Sequence, residues 1–264
     1  TGHGRKEASD ESPGRWKGSL DYLRLIQQKL EVYERCLLPA DDFIPWEGVR
    51  LPADEMQGWF EQELARYPLA QRRERFASRL KRWLEMHLAG IGGASIQKEK
   101  AKSGRQKLKA FVKKLPDPNV VDFYKQLYGA GKSAVSRLSM ADDVPADLYA
   151  CTRTYLKQGE VAYEDLPALL WIRKAFLGID GNRFDHVVVD EAQDASPFQI
   201  ALLAAHMKAP SFTILGDLAQ GIHDYRGIER WEQFQEAFQA HEVSFHALRQ
   251  RYRSTTEIIE FANG

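Results

Sequence analysis

One strand–helix–strand pattern in the last third of the chain constrains the fold most. Val187–Val189 is a β-branched run bounded by polar residues, and Phe212–Leu215 is a second apolar run. A helix from Pro197 to about Lys208 is predicted between them, because Ser196 and Gln199 can form a capping box at its start. Two strands joined by a helix within about thirty residues predict a βαβ unit with parallel strands. The expected fold class is therefore α/β.

The chain before this unit has the pattern of a helical region, from about Trp16 to Phe176. Apolar residues recur at helical spacing in two stretches: Leu20, Leu23, Ile26 and Leu30, then Phe76, Leu80, Trp83, Leu84 and His87. Prolines and glycines between Leu37 and Gly58 predict an irregular connection with one short strand. The glycine-rich run 90–95 is expected to be a flexible link, and Val243–Leu248 is a candidate third strand.

Composition excludes several classes of protein. Lys and Arg total 37 and Asp and Glu total 37, so the net charge is +0 and a uniformly basic nucleic-acid binder is disfavoured. Cys36 and Cys151 form neither a zinc motif nor a disulfide framework, which favours a reducing, cytoplasmic location. No apolar run approaches the roughly 20 residues of a membrane span, so no membrane partner is expected.

The zero net charge conceals two strongly basic segments. Residues 98–114 contain eight basic residues and one acid, and residues 72–82 contain six basic residues and one acid. Such segments suit contacts with the phosphates of nucleic acids, and their alternative is a solvated helix face.

Acidic side chains follow the first predicted strand directly. Asp190 and Glu191 come after Val189, at the carboxyl end of a strand expected to be buried, where open α/β sheets bind ligands. Mg²⁺ takes few protein carboxylates, and a neighbouring carboxylate can polarise a water molecule for attack on a phosphate. The alternative is that these residues only begin the next loop and cap its helix.

Each of the three predicted strands is followed by a polar loop, so three loops are expected to meet at one edge of the sheet. Their sequences are DEAQD at 190–194, GDLAQGIHDYRG at 216–227 and LRQRYRSTTEIIEFAN at 248–263. In this order and spacing they resemble motifs II, III and IV of superfamily 1 helicases of the UvrD/Rep type. FDHVVVDEAQDASPFQ at 184–199 and WKGSL at 16–20 look closest to the helicase IV or HelD-like branch. The resemblance is strong over residues 163–264 and thin before them.

The resemblance implies a site for ATP and Mg²⁺. Asp190 would bind Mg²⁺ with Glu191 beside it, and Glu191 would activate the hydrolytic water. Gln220 would sense the γ-phosphate, and Arg253 would stabilise its developing charge, as positioning and cationic clamps do in phosphoryl transfer. Gln193 matches a position that couples the ATP site to the DNA-binding motifs.

The resemblance also implies a contact with single-stranded DNA. Tyr225 occupies the position of an aromatic residue that stacks on a base, with His223 and Arg226 near it. Stacking is tolerant of base sequence, as a translocase requires, and its alternative is a half-buried aromatic that packs on the next helix. Two positions depart from the family pattern: Arg251 stands where Asn is usual, and Gly221 where a Ser or Thr-like residue is usual.

A phosphate-binding loop is suggested only superficially by residues 129–133, with sequence GAGKS. The pattern G-x-x-x-x-G-K-[ST] needs glycine at position 126, where Gln126 stands, and Phe123–Tyr128 has a helical pattern that Gly129 would end. We therefore expect the P-loop to lie outside this chain, and the chain alone to hydrolyse no ATP.

The sequence thus predicts part of an ATP-dependent DNA helicase with a RecA-like parallel sheet. Residues 1–180 are expected to form a helical 1B-like subdomain, 181–241 the distal part of domain 1A, and 242–264 the start of domain 2A. The whole protein would translocate on single-stranded DNA, usually 3′ to 5′ in this family, and unwind duplexes or DNA junctions. Two alternatives stay open: a HelD-like motor that removes RNA polymerase from DNA, and a scaffold that binds nucleic acid without catalysis.

Overall fold

A helical body precedes a small parallel sheet in the computed structural model, which describes residues 13–131, 136–181, 183–218, 228, 230–238 and 243–247. The α-helices are Pro13–Lys17 (α1), Leu20–Arg35 (α2), Ala53–Gly58 (α3), Leu69–Ala89 (α4), Ala94–Lys114 (α5), Val120–Leu127 (α6), Ala146–Gln158 (α7), Leu166–Leu177 (α8), Pro197–Ala204 (α9) and Glu232–Phe238 (α10). The strands are Phe43–Trp46 (β1), Val49–Leu51 (β2), Val187–Val189 (β3) and Phe212–Ile214 (β4). A π-helical turn, Trp59–Glu63, continues α3, and 3₁₀ turns lie at Ser136–Leu138, Tyr163–Asp165 and Ala192–Asp194.

The predicted helical region is confirmed, and its apolar stripes form one large core. Leu23, Ile26 and Leu30 of α2 are buried, as the helical spacing predicts. The core is rich in aromatic rings: Tyr33 stacks on Phe176 of α8 at 5.5 Å between ring centroids. Among the described residues, no helix is both long and apolar enough to cross a membrane.

Residues 37–58 are more regular than predicted. They contain an antiparallel hairpin of β1 and β2 and then α3, instead of one strand in an irregular connection. Gly48 has φ +82°, which allows the tight turn between the strands. The pairing register shifts between Phe43 and Trp46, where Pro45 supplies no donor to the ladder.

The glycine-rich run 90–95 is the turn between two packed helices. α4 ends at Ala89 and α5 begins at Ala94, so the last two residues of the predicted link are helical. The helices approach closely at Gly104, where a Cβ would lie 3.0 Å from Leu84 Cδ1 and 3.0 Å from Trp46 Cζ3. Glycine at this position therefore allows α5 to pack closely against α4 and β1.

The predicted βαβ unit is confirmed. β3 and β4 pair in parallel, with Val187 opposite Phe212 and Val189 opposite Ile214. The capping box forms as predicted: Ser196 Oγ accepts from Gln199 N at 3.2 Å, and Gln199 Oε1 accepts from Ser196 N at 2.8 Å.

Three details of this unit differ from the prediction. β3 is not buried, because helices cover one sheet face only within the described residues, and Val188 on the other face is 62% exposed. α9 ends at Ala204, before Lys208, because the chain turns there and Met207 forms a bridge with Phe184. Residues 243–247 contain no strand, since no described strand pairs with them, and Leu248 lies outside the described residues.

A buried polar network joins α1, α2, α6 and the 3₁₀ turn before α8. The Lys17 ammonium pairs with Asp165, and the two side chains are 4% and 1% exposed. Asp165 Oδ1 also accepts from the Tyr124 hydroxyl at 2.7 Å, and the Tyr22 hydroxyl lies 2.9 Å from those of Tyr124 and Tyr128. Buried polar groups are thereby satisfied across four elements.

Candidate functional site

The acidic loop, residues 190–195, leaves β3 beside the chain that leaves β4. Ladder-type hydrogen bonds continue past the strand ends: Leu215 N donates to Val189 O at 2.8 Å, and Ala192 N donates to Leu215 O at 2.9 Å. The chain segments that follow the two strands are therefore held together at the carboxyl edge of the sheet. Two of the three loops predicted to meet there do so, and the third, at 248–263, lies outside the described residues.

Asp190 and Glu191 present two exposed carboxylates at this edge. Asp190 Oδ1 accepts from the Glu191 backbone N–H at 2.9 Å. Among the described residues, Glu191 alone has a positive φ without being glycine. Its φ of +50° is a left-handed conformation that is unfavourable for most residues with a side chain. The sharp turn directs the chain from β3 into the 3₁₀ turn and then into α9.

Gln193 connects the two loops. Its side chain is buried at 5% exposure; Nε2 donates to Glu191 Oε2 at 2.7 Å, and Oε1 accepts from Asp217 N at 3.0 Å. One amide therefore joins the proposed catalytic carboxylate to the loop after β4. The coupling role that the resemblance implies for Gln193 stays a prediction.

Gly216 makes this bridge possible, and the sequence reasoning gave it no role. A Cβ at Gly216 would lie 2.5 Å from Gln193 Oε1 and 2.9 Å from the Trp231 ring. The signal that could have revealed it is a glycine placed immediately after an apolar strand, where the backbone of another element approaches closely.

The carboxylates of the acidic loop suit Mg²⁺ better than a metal ion whose ligands all come from the protein. Within the described part of the chain, no group of three or more His, Cys, Asp or Glu side chains is arranged to hold a metal ion. Mg²⁺ needs only one or two carboxylates, because water and phosphate oxygens complete its octahedral shell. Asp190 and Glu191 supply such carboxylates and are accessible to solvent.

The other predicted site residues lie outside the described part of the chain. They are Gln220, His223, Tyr225, Arg226 and Arg253, together with the two departures from the family pattern, Gly221 and Arg251. Their predicted roles stay predictions. Leu218, the last described residue before five of them in the chain, packs against the small apolar cluster that contains Ala192 and Ile200.

The apparent P-loop is a helix end, as predicted. α6 runs over Val120–Leu127 with Phe123, Tyr124 and Leu127 buried, and Gly129 has φ +59° after it. The segment before the glycines is not a strand, so residues 129–131 are not positioned as a phosphate-binding loop.

The basic segment 72–82 on α4 is largely engaged with the protein itself, which favours the alternative to phosphate contacts there. Arg72 is 7% exposed, and its Nη1 donates to Glu34 Oε2 at 2.8 Å. Further arginines are held by carboxylates or aromatic rings: Arg73 by Asp117, Arg75 by Tyr67, and Arg79 by Glu63 and Trp59. These guanidinium groups attach α4 to its neighbours through ion pairs and ring contacts.

The basic segment on α5 forms an exposed stripe. Lys98, Lys102, Lys109 and Lys113 fall within a sector of about 80° at 100° per residue, and span about 22 Å along the axis. All four are exposed, and none pairs with a carboxylate of the described residues. We call these four residues the lysine stripe. Arg105 lies in the same sector but pairs with Glu85, and its hydrogen bond lowers the pKa of that carboxyl.

Two further lysines of α5 point elsewhere. Lys107 Nζ donates to Ile44 O at 3.3 Å, and Lys100 Nζ lies 5.8 Å from the Trp46 ring centroid. Both therefore lie against β1, away from the stripe. α5 thus presents a cationic row to solvent that is distinct from its packed face.

These features define a mixed protein, mainly helical, with a short parallel α/β unit whose acidic loop lies at the carboxyl edge of the strands. Residues 61–239 match the UvrD/REP helicase N-terminal domain. Because the match covers more than half of the chain, the chain belongs to this family. It is also similar, with 40% identity over 87 residues, to DNA helicase II of Haemophilus influenzae (strain ATCC 51907 / DSM 11121 / KW20 / Rd). That alignment covers 31% of this chain and 11% of that protein.

The match confirms the predicted family, and it extends the region of the chain that resembles this family toward the N-terminus. The sequence motifs made the resemblance strong only from residue 163, whereas the family match begins at residue 61 and includes α4 and α5. The helicase IV or HelD-like branch stays a prediction, since the match is to the broader family.

Proposed function

We propose that this chain is part of an ATP-dependent DNA helicase that moves on single-stranded DNA and unwinds duplexes, in the 3′ to 5′ direction usual for its family. The observation that supports this most is the Gln193 bridge, which links the Glu191 carboxylate to the loop after β4. In the proposed motor this bridge connects the nucleotide site to the loop that contains the DNA-contacting residues.

In this proposal the acidic loop belongs to the ATP site. Asp190 would hold Mg²⁺ with Glu191 beside it, and the ion would supply positive charge against the phosphates of ATP. Glu191 orients and deprotonates the attacking water, and its bond from Gln193 fixes the carboxylate for that task. Gln220 and Arg253 contact the γ-phosphate and stabilise the charge that develops on it.

Two sets of residues are proposed to contact DNA. Tyr225, Arg226 and His223 hold an unstacked base beside the ATP site. The lysine stripe follows the phosphates, since its four ammonium groups are exposed in one row along α5. The proposed organisation keeps a helical 1B-like unit at 1–180, part of a RecA-like 1A domain at 181–241 and the start of domain 2A at 242–264.

The proposal is tested by neutralising one carboxylate in the intact protein. Glu191→Gln should lower the kcat of DNA-stimulated ATP hydrolysis by about 10²–10³-fold, as expected for loss of a general base. Asp194→Asn is the matched control, because it removes an equally exposed charge three residues away. If the two variants hydrolyse ATP at similar rates, Glu191 is not the base, and if the wild type shows no DNA-stimulated hydrolysis, the proposed activity is wrong.

A further inference from the structure

Lys17, the last residue of α1, and Gly18, which follows it, contact different parts of the molecule. Lys17 is anchored in the helical body, where its ammonium pairs with Asp165 and lies 5.8 Å from the Tyr128 ring centroid. Gly18 is the next residue, and it contacts the start of α9. The backbone between them therefore joins the buried network to the helix that follows the acidic loop.

The anchor at Lys17 is rigid. Asp165 is fully buried, and its Oδ2 accepts from Ala162 N at 3.0 Å while Oδ1 accepts from Lys17 and Tyr124. A buried carboxylate with this many donors has little freedom to move without losing hydrogen bonds. Lys17 therefore fixes the position of the residue that follows it.

Gly18 contacts α9 through its backbone and through its lack of a side chain. Gly18 O accepts from Phe198 N at 2.9 Å, which satisfies a donor in the first turn of α9. A Cβ at Gly18 would lie 2.6 Å from Ser196 Cβ and 3.2 Å from Ser196 Oγ. Because carbon atoms in contact are separated by about 3.5 Å, any side chain here would displace the start of α9 by about 1 Å.

Ser196, the residue that would be displaced, directly follows the acidic loop in the chain, and hydrogen bonds connect its neighbour to the rest of that loop. Ser196 is the N-cap of α9 and follows Ala195 directly, and Ala195 N donates to Ala192 O at 3.0 Å. Ala192 is fully buried and bonded to Leu215 O. A shift of Ser196 is therefore transmitted to the turn that holds Glu191 and Gln193.

We infer that Gly18 is a positioning residue for the acidic loop, which it holds in place by close contact with Ser196 and by its hydrogen bond from Phe198. The helical body and the acidic loop are thus joined at a point about 170 residues away in sequence from Glu191, through the rigid anchor at Lys17. The activity readout of this inference rests on the proposed ATP hydrolysis, whereas its hydrogen-exchange readout does not.

The test compares Gly18→Ala with Gly58→Ala in the intact protein. Gly58 is helical, and a Cβ there meets nothing within 4 Å, so this control makes the same chemical change without a clash. Gly18→Ala should lower the kcat of DNA-stimulated hydrolysis by about 10–100-fold, as expected for a misplacement of about 1 Å. Gly58→Ala should stay within about twofold of wild type.

Hydrogen exchange measures the positioning without any turnover. In Gly18→Ala, the amides of Phe198 and Ala192 should exchange at least about tenfold faster than in wild type, while amides of α4 and α5 are unchanged. If the wild type fails to hydrolyse ATP, the proposed function fails and this measurement still tests the contact. Unchanged exchange at Phe198 and Ala192 would overturn the inference.

A second substitution tests whether the clash itself is responsible. Ser196→Gly removes the atom that the new side chain meets, and glycine is an acceptable N-cap residue. Gly18→Ala with Ser196→Gly should therefore recover most of the lost activity and protection, and absence of recovery would contradict the mechanism. If Gly18→Ala does not fold, Ser196→Thr adds a methyl group to the same contact from the other side and should give the same effects, whereas wild-type exchange and activity in Ser196→Thr would refute the proposal.

Discussion

The lysine stripe of α5 allows a prediction whose size follows from the number of charges. Lys102→Gln with Lys109→Gln removes two charges from the middle of the stripe. Lys107→Gln with Lys114→Gln removes two charges from the same helix on the side that faces β1 and the helix end. Glutamine and lysine have similar helix propensities, so neither pair should alter the helix itself.

The expected magnitude comes from counterion release. For single-stranded DNA, the logarithm of affinity falls with the logarithm of salt by about 0.7 per phosphate contact. Losing two contacts should reduce this slope by about 1.4, so wild type loses about sevenfold more affinity than the stripe variant between 50 and 200 mM salt. Removing all four stripe charges should reduce the slope by about 2.8, whereas the pair on the other side should leave it unchanged.

Fluorescence anisotropy with a labelled oligothymidine at several salt concentrations measures these slopes directly. The thermal midpoint of each variant controls for unfolding, and the two double variants have the same net charge. If both double variants reduce the slope equally, net charge alone governs binding and the stripe is not a phosphate-binding surface. If neither variant changes the slope, DNA does not contact α5.

Three further predictions concern buried groups. Gln193→Leu breaks the bridge to Glu191, so it should reduce the stimulation of ATP hydrolysis by DNA at least about fivefold, measured as the ratio of rates with and without oligothymidine. Asp165→Asn leaves the Lys17 ammonium buried without its counter-charge, so it should cost about 3–5 kcal/mol in urea unfolding, and adding Lys17→Met should restore part of this. Burial raises the pKa of Tyr22 and Tyr124 well above 10.0 in the folded protein, so their contribution to stability is complete below pH 10 and declines as the pH rises further. Absorbance of tyrosinate near 295 nm should show these two rings ionising only as the protein unfolds in alkali, and their ionisation in a folded protein would contradict the prediction.

Local signals in the sequence were enough to predict the α/β unit at 187–214. The capping box at Ser196 and the β-branched run at Val187 depend on residues a few positions apart, and both are present as predicted. The exposure of Val188 could not be predicted in the same way. Periodicity indicates an apolar strand, but burial depends on which elements cover each face of the sheet.

The candidate functional site was predicted only in part, because a sequence shows which residues are adjacent and not which distant residues are in contact. The acidic loop was visible because Asp190 and Glu191 are adjacent in sequence. The difference between α4 and α5 was not visible, because both carry strongly basic segments, and only distant partners such as Glu34 and Trp59 show that arginines of α4 are structural. Contacts of this kind join residues far apart in the chain, which no local pattern reports.

The left-handed backbone conformation at Glu191 lowers the stability of the protein, whereas the Glu191 carboxylate serves the proposed activity. For an L-residue with a Cβ this conformation costs about 1–2 kcal/mol, and glycine or asparagine adopts it more cheaply. Glu191→Gly should therefore give a protein that is harder to unfold and that lacks the carboxylate at the sheet edge. A screen for thermostability alone would select against glutamate at this position, so variants enriched by such a screen would include proteins that fold better and work worse.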